Sequence, residues 1–260
     1  MRFVYPADTF KPKQVDEFYA DECAAAQNAG FATSLFNFED FQAGRFRPSP
    51  AFQDGDSILY RGWMMDEAEY LHLHDSFVAH GGRPLTSPEP YLLCHHLPRW
   101  YPLLRQFTAE TRFYSESDNI CADLASAGWG DCFVKDYVKS LSTDGGSVAK
   151  DLASIPTVIS KMRKYRGRVE GGVCTRRLEQ YDPATERRFF VYQGKAMGDG
   201  ETPPSLVVDA AAIISSPFFT VDVAKRTDGV LRIIELGDGQ VSDRKHWNSK
   251  DFIQIFALTQ

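Results

Sequence analysis

The arm Phe218-Phe-Thr-Val-Asp222-Val-Ala-Lys225 and the arm Val230-Leu-Arg-Ile-Ile-Glu235-Leu-Gly-Asp238, joined through Asp228-Gly229, decide how this chain is read. Both arms are rich in β-branched and aromatic residues, and Asp-Gly between two such runs is a strong hairpin signal. A two-residue turn sets Val223 opposite Ile234 and Val221 opposite Leu236 on an apolar face, and Asp222 opposite Glu235 on the other. Carboxylates facing each other at roughly 5 Å between Cβ atoms repel, and a cation between them removes the penalty. Oxygen-only donors suit magnesium, which keeps several waters and shares substrate phosphates. Asp238, just past Gly237, is placed to reach the same ion. The alternative is that both acids are solvated surface residues, with Lys225 and Arg232 softening the repulsion.

Upstream of the hairpin, Phe133-Val-Lys135-Asp-Tyr-Val reads as a strand that leads into Leu141-Ser-Thr-Asp-Gly145-Gly146-Ser147. Glycine-rich loops let backbone N–H groups approach phosphate oxygens, and a lysine just before the loop adds a compact positive charge. The Walker spacing is absent, so the loop reads equally as a plain turn. Two further strands carry arginines: Val173 to Gln180, with Arg176 and Arg177, and Arg187 to Gln193, with Arg188. An arginine fork suits a phosphate or carboxylate clamp. The alternative is a structural lattice in which Arg176 and Arg188 pair with Glu179 and Glu186.

The 260 residues, 43% hydrophobic and 25% charged, have ordinary globular composition, and a net charge of −6 disfavours a general nucleic-acid or anionic-membrane binder. No apolar run approaches the roughly 18 residues of a membrane span. Met1-Arg2-Phe3-Val4-Tyr5-Pro6 does not read as a signal peptide. Cys23, Cys94, Cys121, Cys132 and Cys174 are scattered and odd in number, which reads as reduced thiols in a cytoplasmic protein. His72-x-His74 and His95-His96 lack metal-ligand spacing. Strands are expected at Met1–Tyr5, Phe31–Phe36, Ser57–Tyr60 and Arg83–Leu85, alternating with helices at Val15–Asn28, Asp66–His80 and Pro98–Phe107. That alternation implies an open, largely parallel sheet, while later adjacent strands imply antiparallel pairing. A boundary is expected near residue 110. Trp63, Trp100 and Tyr101 read as core residues, and Trp247 and Phe252 as pins for a last helix.

The order of lysine strand, glycine loop, hinge strand, Glu186-x-Arg188, Asp222 strand and Glu235 strand resembles the ATP-grasp enzymes over roughly residues 110 to 240. More narrowly it resembles the clade named for two arginines and one lysine, in its bacterial and phage branch. That clade includes the eukaryotic cell-division-cycle protein that helps assemble translation initiation factor 2. The stretches that carry this are Tyr60-Arg61-Gly62-Trp63-Met64, Leu85-Thr-Ser-Pro-Glu-Pro-Tyr91, Gly171-Gly172-Val-Cys-Thr-Arg176 and Glu235-Leu-Gly-Asp238-Gly-Gln-Val. Lys135 matches the clade's lysine, and Arg176 and Arg188 its arginines.

The resemblance implies an ATP-grasp fold, two α+β subdomains clasping ATP over 111–260, preceded by an open α/β pre-domain over 1–110. It implies adenine against the hinge backbone at Arg177 and Leu178, with Glu179 or Asp182 for polar contacts. Lys135, Gly145, Gly146 and Ser147 would serve the nucleotide, and two magnesium ions would be held by Asp222, Glu235 and Asp238. Ordinary ATP-grasp enzymes carry Glu-x-Asn, whereas here Asp238 stands one residue beyond the usual amide. The implied chemistry is ATP-dependent ligation of a carboxylate to an amine or other nucleophile, a peptide or protein among the candidates. Arg188 and Arg176 would act at the transferred group and Arg61 at the second substrate. The rival readings are an ATP-binding assembly factor with little turnover and a phosphotransferase.

Overall fold

A computed structural model describes residues 1–138 and 146–257. Gly145, and with it most of the expected phosphate loop, lies outside the described residues. In chain order the elements begin with β1 (Arg2–Pro6), α1 (Ala20–Asn28), β2 (Ala32–Phe36), α2 (Phe38–Gln42), β3 (Ser57–Tyr60), α3 (Glu67–Ala79), β4 (Arg83–Pro84) and α4 (Pro88–His95). They continue with α5 (Leu97–Leu104), β5 (Thr111–Tyr114), α6 (Ile120–Ser126), β6 (Cys132–Asp136), β7 (Val148–Ala149), α7 (Ile155–Arg166) and β8 (Val173–Arg177). The chain closes with β9 (Arg187–Tyr192), β10 (Lys195–Met197), α8 (Ser205–Ile213), β11 (Phe218–Lys225), β12 (Leu231–Asp238) and α9 (Ser249–Ala257).

The chain divides into two units by its internal contacts: Met1–Cys94 with Arg188–Val221 and Gly237–Gln260, and His95–Arg187 with Asp222–Leu236. The expected linear segments 1–110 and 111–260 do not coincide with this division. The physical reason is the far end of the hairpin, which is fastened to the second unit. Thr108 Oγ1 donates to Ile233 O at 2.8 Å, Asp182 N–H to Lys225 O at 2.9 Å, and Thr227 N–H to Gln180 O at 2.9 Å.

In the first unit, β2-β1-β3-β4 form a wholly parallel sheet, with Arg2 opposite Ala32 on one side and Ile58 on the other. The strands are short apolar runs because parallel strands are buried on both faces. Phe3 and Tyr5 pack with Tyr19, Phe190, Phe218, Trp247 and Phe252, while Val4 faces Phe36, Phe41, Tyr60 and Tyr91. Asp66 closes a reciprocal capping box with Glu69 at the start of α3. Trp247 and Phe252 do pin α9, as expected. Trp63 is not core: it is 39% exposed.

In the second unit, β5-β8-β6-β7 form an antiparallel sheet. Its core gathers Leu124, Cys132, Val134, Ile155, Met162 and Val173 under α6 and α7. The remaining strands run in the order β10-β9-β11-β12. Among the described residues no helix is long and apolar enough to cross a membrane.

The hairpin turn departs from the expected one. Arg226 N–H donates to Val230 O and Gly229 N–H to Arg226 O, both at 2.8 Å, with Gly229 at φ +88°. The loop is therefore three residues, Thr227-Asp228-Gly229, with glycine in the left-handed position such a loop requires. The ladder leaves the turn one residue out of the expected register, while further along Gly239 N–H donates to Phe218 O at 3.1 Å and Thr220 Oγ1 to Gly237 O at 3.3 Å, contacts of the expected register. In β12, Ile234 and Glu235 are both half-buried between buried Ile233 and Leu236, so strict alternation is broken there as well.

Candidate functional site

A cavity of about 180 Å³ in the second unit is lined by Phe133, Lys135, Arg176, Arg177, Leu178, Glu179, Tyr181, Ile234 and Glu235. Lys135, Arg176, Arg177, Leu178, Glu179 and Glu235 are all residues expected at a site from the sequence. Three strands supply them: β6 gives Lys135, β8 and its continuation give Arg176 to Glu179, and β12 gives Glu235. Lys135 lies opposite Cys174 in the β6–β8 ladder, and Phe133 opposite Arg176.

Lys135 is 4% exposed, and its Nζ donates to Val138 O at 3.1 Å and to Glu235 Oε1 at 3.2 Å. The Glu235 side chain is 41% exposed, so this pair straddles buried and open ground. The neighbouring Cys174 thiol is pushed up to about 12 by burial, against the pull of Lys135 and Arg176. It stays protonated and is no nucleophile at neutral pH.

Arg176 is buried on β8, and among the described residues its donors meet no carboxylate. Nη1 donates to Ile234 O at 2.8 Å and Nη2 to Thr108 Oγ1. Its Nε has no hydrogen-bond partner among the described residues. Burial lowers its pKa, with Tyr181 and Glu235 opposing that shift at longer range. A desolvated, incompletely compensated guanidinium favours an anion.

Arg177 stacks over Trp129 at 4.5 Å from the ring centroid, and its Nε donates to Glu110 Oε2 at 3.2 Å. Glu179 accepts from the Tyr181 hydroxyl, from Arg226 Nη1 at 3.2 Å and from Arg232 Nε at 3.4 Å. Burial and then the Glu179 bond raise the Tyr181 pKa, so the phenol remains a donor.

Of the lattice alternative, the Arg176–Glu179 pair does not form among the described residues: Glu179 is held by Arg226 and Arg232, while Arg188 bonds to Asp243. Sequence reasoning did not find Tyr181, Arg226 or Arg232 at the site. Arg232 lies in the same hairpin as Asp222 and Glu235, but its signal reads there only as charge balance.

The other expected residues fall elsewhere. Gly146 has φ +51°, and Ser147 O accepts from Val134 N–H at 2.7 Å, which makes Ser147 part of the β6–β7 join. Asp222 is buried on β11. Asp238 belongs to the first unit. Its Oδ1 accepts from the backbone N–H and the side-chain Nε2 of Gln240, both at 3.0 Å, and Oδ2 has no partner among the described residues. Burial pushes its carboxyl up to about 7, against the Gln240 hydrogen bonds and Arg61. Among the described residues no three His, Cys, Asp or Glu side chains are grouped to hold a metal ion.

Arg188 is also in the first unit. Its Nη1 donates to Asp243 Oδ1 at 2.7 Å and to Asp243 O at 2.9 Å. Arg61, expected to face a second substrate, is turned into the core of the first unit. Nε and Nη2 donate to the two oxygens of Glu22 at 2.8 and 2.9 Å, and Nη1 to the carbonyls of Gly239, Gln240 and Ser242.

No curated protein matches the chain. Several solved structures share its fold. A crystal structure of D-cycloserine synthetase DcsG is 15% identical, with a TM-score of 0.68 over 99% of both chains. A RimK-domain ATP-grasp protein from Sphaerobacter thermophilus is 14% identical, with a TM-score of 0.65 over 98% of this chain and 99% of that one. The ATP-grasp ligase PsnB, complexed with minimal precursor, Mg and ADP, is 12% identical, with a TM-score of 0.61 over 99% of this chain and 96% of that one. Residues 99–255, more than half of the chain, match the ATP-grasp domain, R2K clade family 3, and the chain belongs to that family.

Proposed function

We propose that this chain is an ATP- and magnesium-dependent ligase that activates a carboxylate as an acylphosphate and passes it to an amine or other nucleophile. The observation that carries the reading is the gathering of Lys135, Arg176, Arg177, Leu178, Glu179 and Glu235 around one cavity. ATP supplies the phosphoryl group that activates the carboxylate, and magnesium supplies positive charge for it.

The lining fits a nucleotide. Phe133, Leu178 and Ile234 offer apolar surface for a base, and Glu179 with Tyr181 offers polar groups for a sugar. Arg176 and Lys135 offer buried positive charge for phosphates, and the partnerless Nε of Arg176 matches an incoming anion. Asp222 and Glu235 are the magnesium ligands in this reading, with Asp238 the third candidate. Two carboxylates and substrate phosphates are an ordinary set for that ion. Arg188 is the candidate for the transferred group. The structurally similar macrocyclase MdnC, solved with the precursor peptide MdnA, makes a peptide a reasonable substrate to test first.

Calorimetric titration with ATP, with and without magnesium, tests the reading on the native chain and on Glu235→Ala. The expected result is saturable, magnesium-dependent binding that the substitution weakens at least tenfold. No binding by a folded sample overturns it. Product analysis then separates the rivals. ADP with a new amide supports ligation, ADP with a phosphorylated product supports a phosphotransferase, and tight binding without ADP supports an assembly factor.

A further inference from the structure

The loop that follows β1 in the first unit presents Phe10, which at 91% is the most exposed large apolar side chain among the described residues. The loop that carries it is firmly built. Asp8 Oδ1 accepts from the backbone N–H of Phe10 at 2.8 Å and of Lys11 at 2.7 Å. Gln14 N–H donates to Lys11 O at 2.8 Å, and Asp8 N–H to Gln14 O at 2.9 Å. A bridge between Ala7 and Val15 closes the base, and Pro12 restricts the backbone in between. An aromatic ring held out in water does nothing for this fold, because only burial of the ring stabilises. An anchor on a rigid loop suits an interface, where little conformational freedom is left to lose on binding.

Lys11 and Lys13 flank the ring. Both are exposed, and neither ammonium pairs with a carboxylate among the described residues. Beside the loop, a groove of about 420 Å³ runs between α1 and β2, and its lining includes Pro12, Lys13, Val15, Gln27, Thr33 and Ser49. Lys13 is the single charged residue of that lining, and no acid faces the groove. This is a locally basic surface on a chain whose net charge is −6.

The groove follows a sheet edge. β2 is the outer strand of its sheet, and Ser49 covers it at Leu35 through two backbone hydrogen bonds of 2.8 Å. Beside Thr33 that cover is gone among the described residues, and Thr33 O receives only a long contact of 3.4 Å from Arg2 Nη1. An open edge of this kind accepts a further extended strand. A bilayer is too flat to enter such a groove. A nucleic acid brings dense negative charge toward an acidic chain that offers it two lysines. A polypeptide with carboxylate side chains matches the edge, the groove and the lysines together.

We infer that this face of the first unit docks an extended acidic segment of a partner protein. The segment pairs its backbone with the open edge of β2, its carboxylates face Lys11 and Lys13, and an apolar side chain packs on Phe10. The inference is independent of the ligase reading, since none of these residues lines the nucleotide cavity.

Calorimetric titration of the full chain with acetyl-Val-Glu-Val-Glu-Val-amide tests the surface, with the analogues carrying Gln or Lys in place of Glu as charge controls. The expected result is saturable binding that added salt weakens, and at least tenfold weaker binding of both analogues. Phe10→Ala and Lys13→Gln each weaken the acidic peptide at least fivefold and leave the thermal midpoint and ATP affinity unchanged, because both side chains are exposed. Absence of saturable binding, equal binding of the Gln analogue, or binding indifferent to both substitutions overturns the inference. Tighter binding of phosphatidylglycerol vesicles or of a thymidine oligonucleotide overturns it in favour of a membrane or nucleic-acid surface, and equal binding of hexanoate in favour of a small carboxylate. Peptide binding with the expected properties in a chain that fails to bind ATP supports the docking surface and overturns only the nucleotide reading.

Discussion

Two buried arginines, Arg61 in the first unit and Arg176 in the second, show how differently one side chain can be used. Arg61 has a carboxylate partner for Nε and Nη2 and three carbonyls for Nη1. Burial pulls its pKa down, and Glu22 more than restores it, so the net direction is up. Among the described residues Arg176 has one carbonyl, one hydroxyl and a partnerless Nε, and its pKa goes down. The first arrangement is closed: every strong acceptor it needs is supplied by the fold. The second is open toward an anion that the fold does not supply. Burial alone therefore does not separate a structural charge from a binding one, whereas the identity of the partners does.

Removing each cation in turn puts this contrast at risk. Among the described residues, Arg61→Met leaves the buried Glu22 with only Arg244, 3.3 Å from its Oε2, and the expected loss is roughly 3 kcal/mol of stability, read from urea midpoints. The double change Glu22→Gln with Arg61→Met should recover a large part of that loss. A midpoint unmoved by Arg61→Met would show that the pair contributes nothing net.

Asp238 is a third buried charge, with one oxygen unpartnered among the described residues, and it refines the contrast through pH. Its folded pKa of about 7 lies above the ordinary value of 3.8. Its contribution is therefore fully present below the ordinary value and is lost as pH rises through about 7. Across that window the native chain should lose up to roughly 4 kcal/mol relative to Asp238→Asn, measured by equilibrium denaturation in magnesium-free buffer. Parallel pH profiles for the two proteins would contradict the assignment.

Arg176→Met should do the opposite of Arg61→Met. Stability should change by less than about 1.5 kcal/mol, because no buried carboxylate loses a partner. ATP affinity should fall roughly 10- to 100-fold, about 1.4–2.8 kcal/mol. A variant that unfolds while the remaining folded fraction binds ATP normally would make Arg176 structural. The smallest expected effect is at Arg177→Ala. It loses the stack on Trp129 and the exposed contact with Glu110, at about 0.5–1 kcal/mol of stability, seen as a small shift of the urea midpoint.

Much of the fold is legible in the sequence because the signals are local. The parallel strands β1, β2 and β3 fall where short apolar runs between turn residues place them, and α3 begins at its capping Asp66. Lys135, Arg176, Glu179 and Glu235 can be grouped from their order along the chain, because each sits on or beside a strand whose period is readable, and one cavity does gather them. Short elements such as β5, α6 and α8 are not anticipated, since brief segments carry too few periods to stand out from their neighbours.

Partner choice is not legible in the same way. The extra residue in the Thr227-Asp228-Gly229 turn is one backbone hydrogen bond away from the two-residue alternative, and it shifts the pairing where the two arms leave the turn. Lys135 meets Glu235 across a hundred positions, Glu179 takes Arg226 and Arg232 rather than Arg176, and Arg61 closes on Glu22. Residue types, strand periods and their order along the chain are properties of short stretches, so the family and the candidate nucleotide residues can be read from the amino acids alone. Which charges are closed and which are left open depends on desolvation and on geometry between distant segments, and those exist only once the chain has folded.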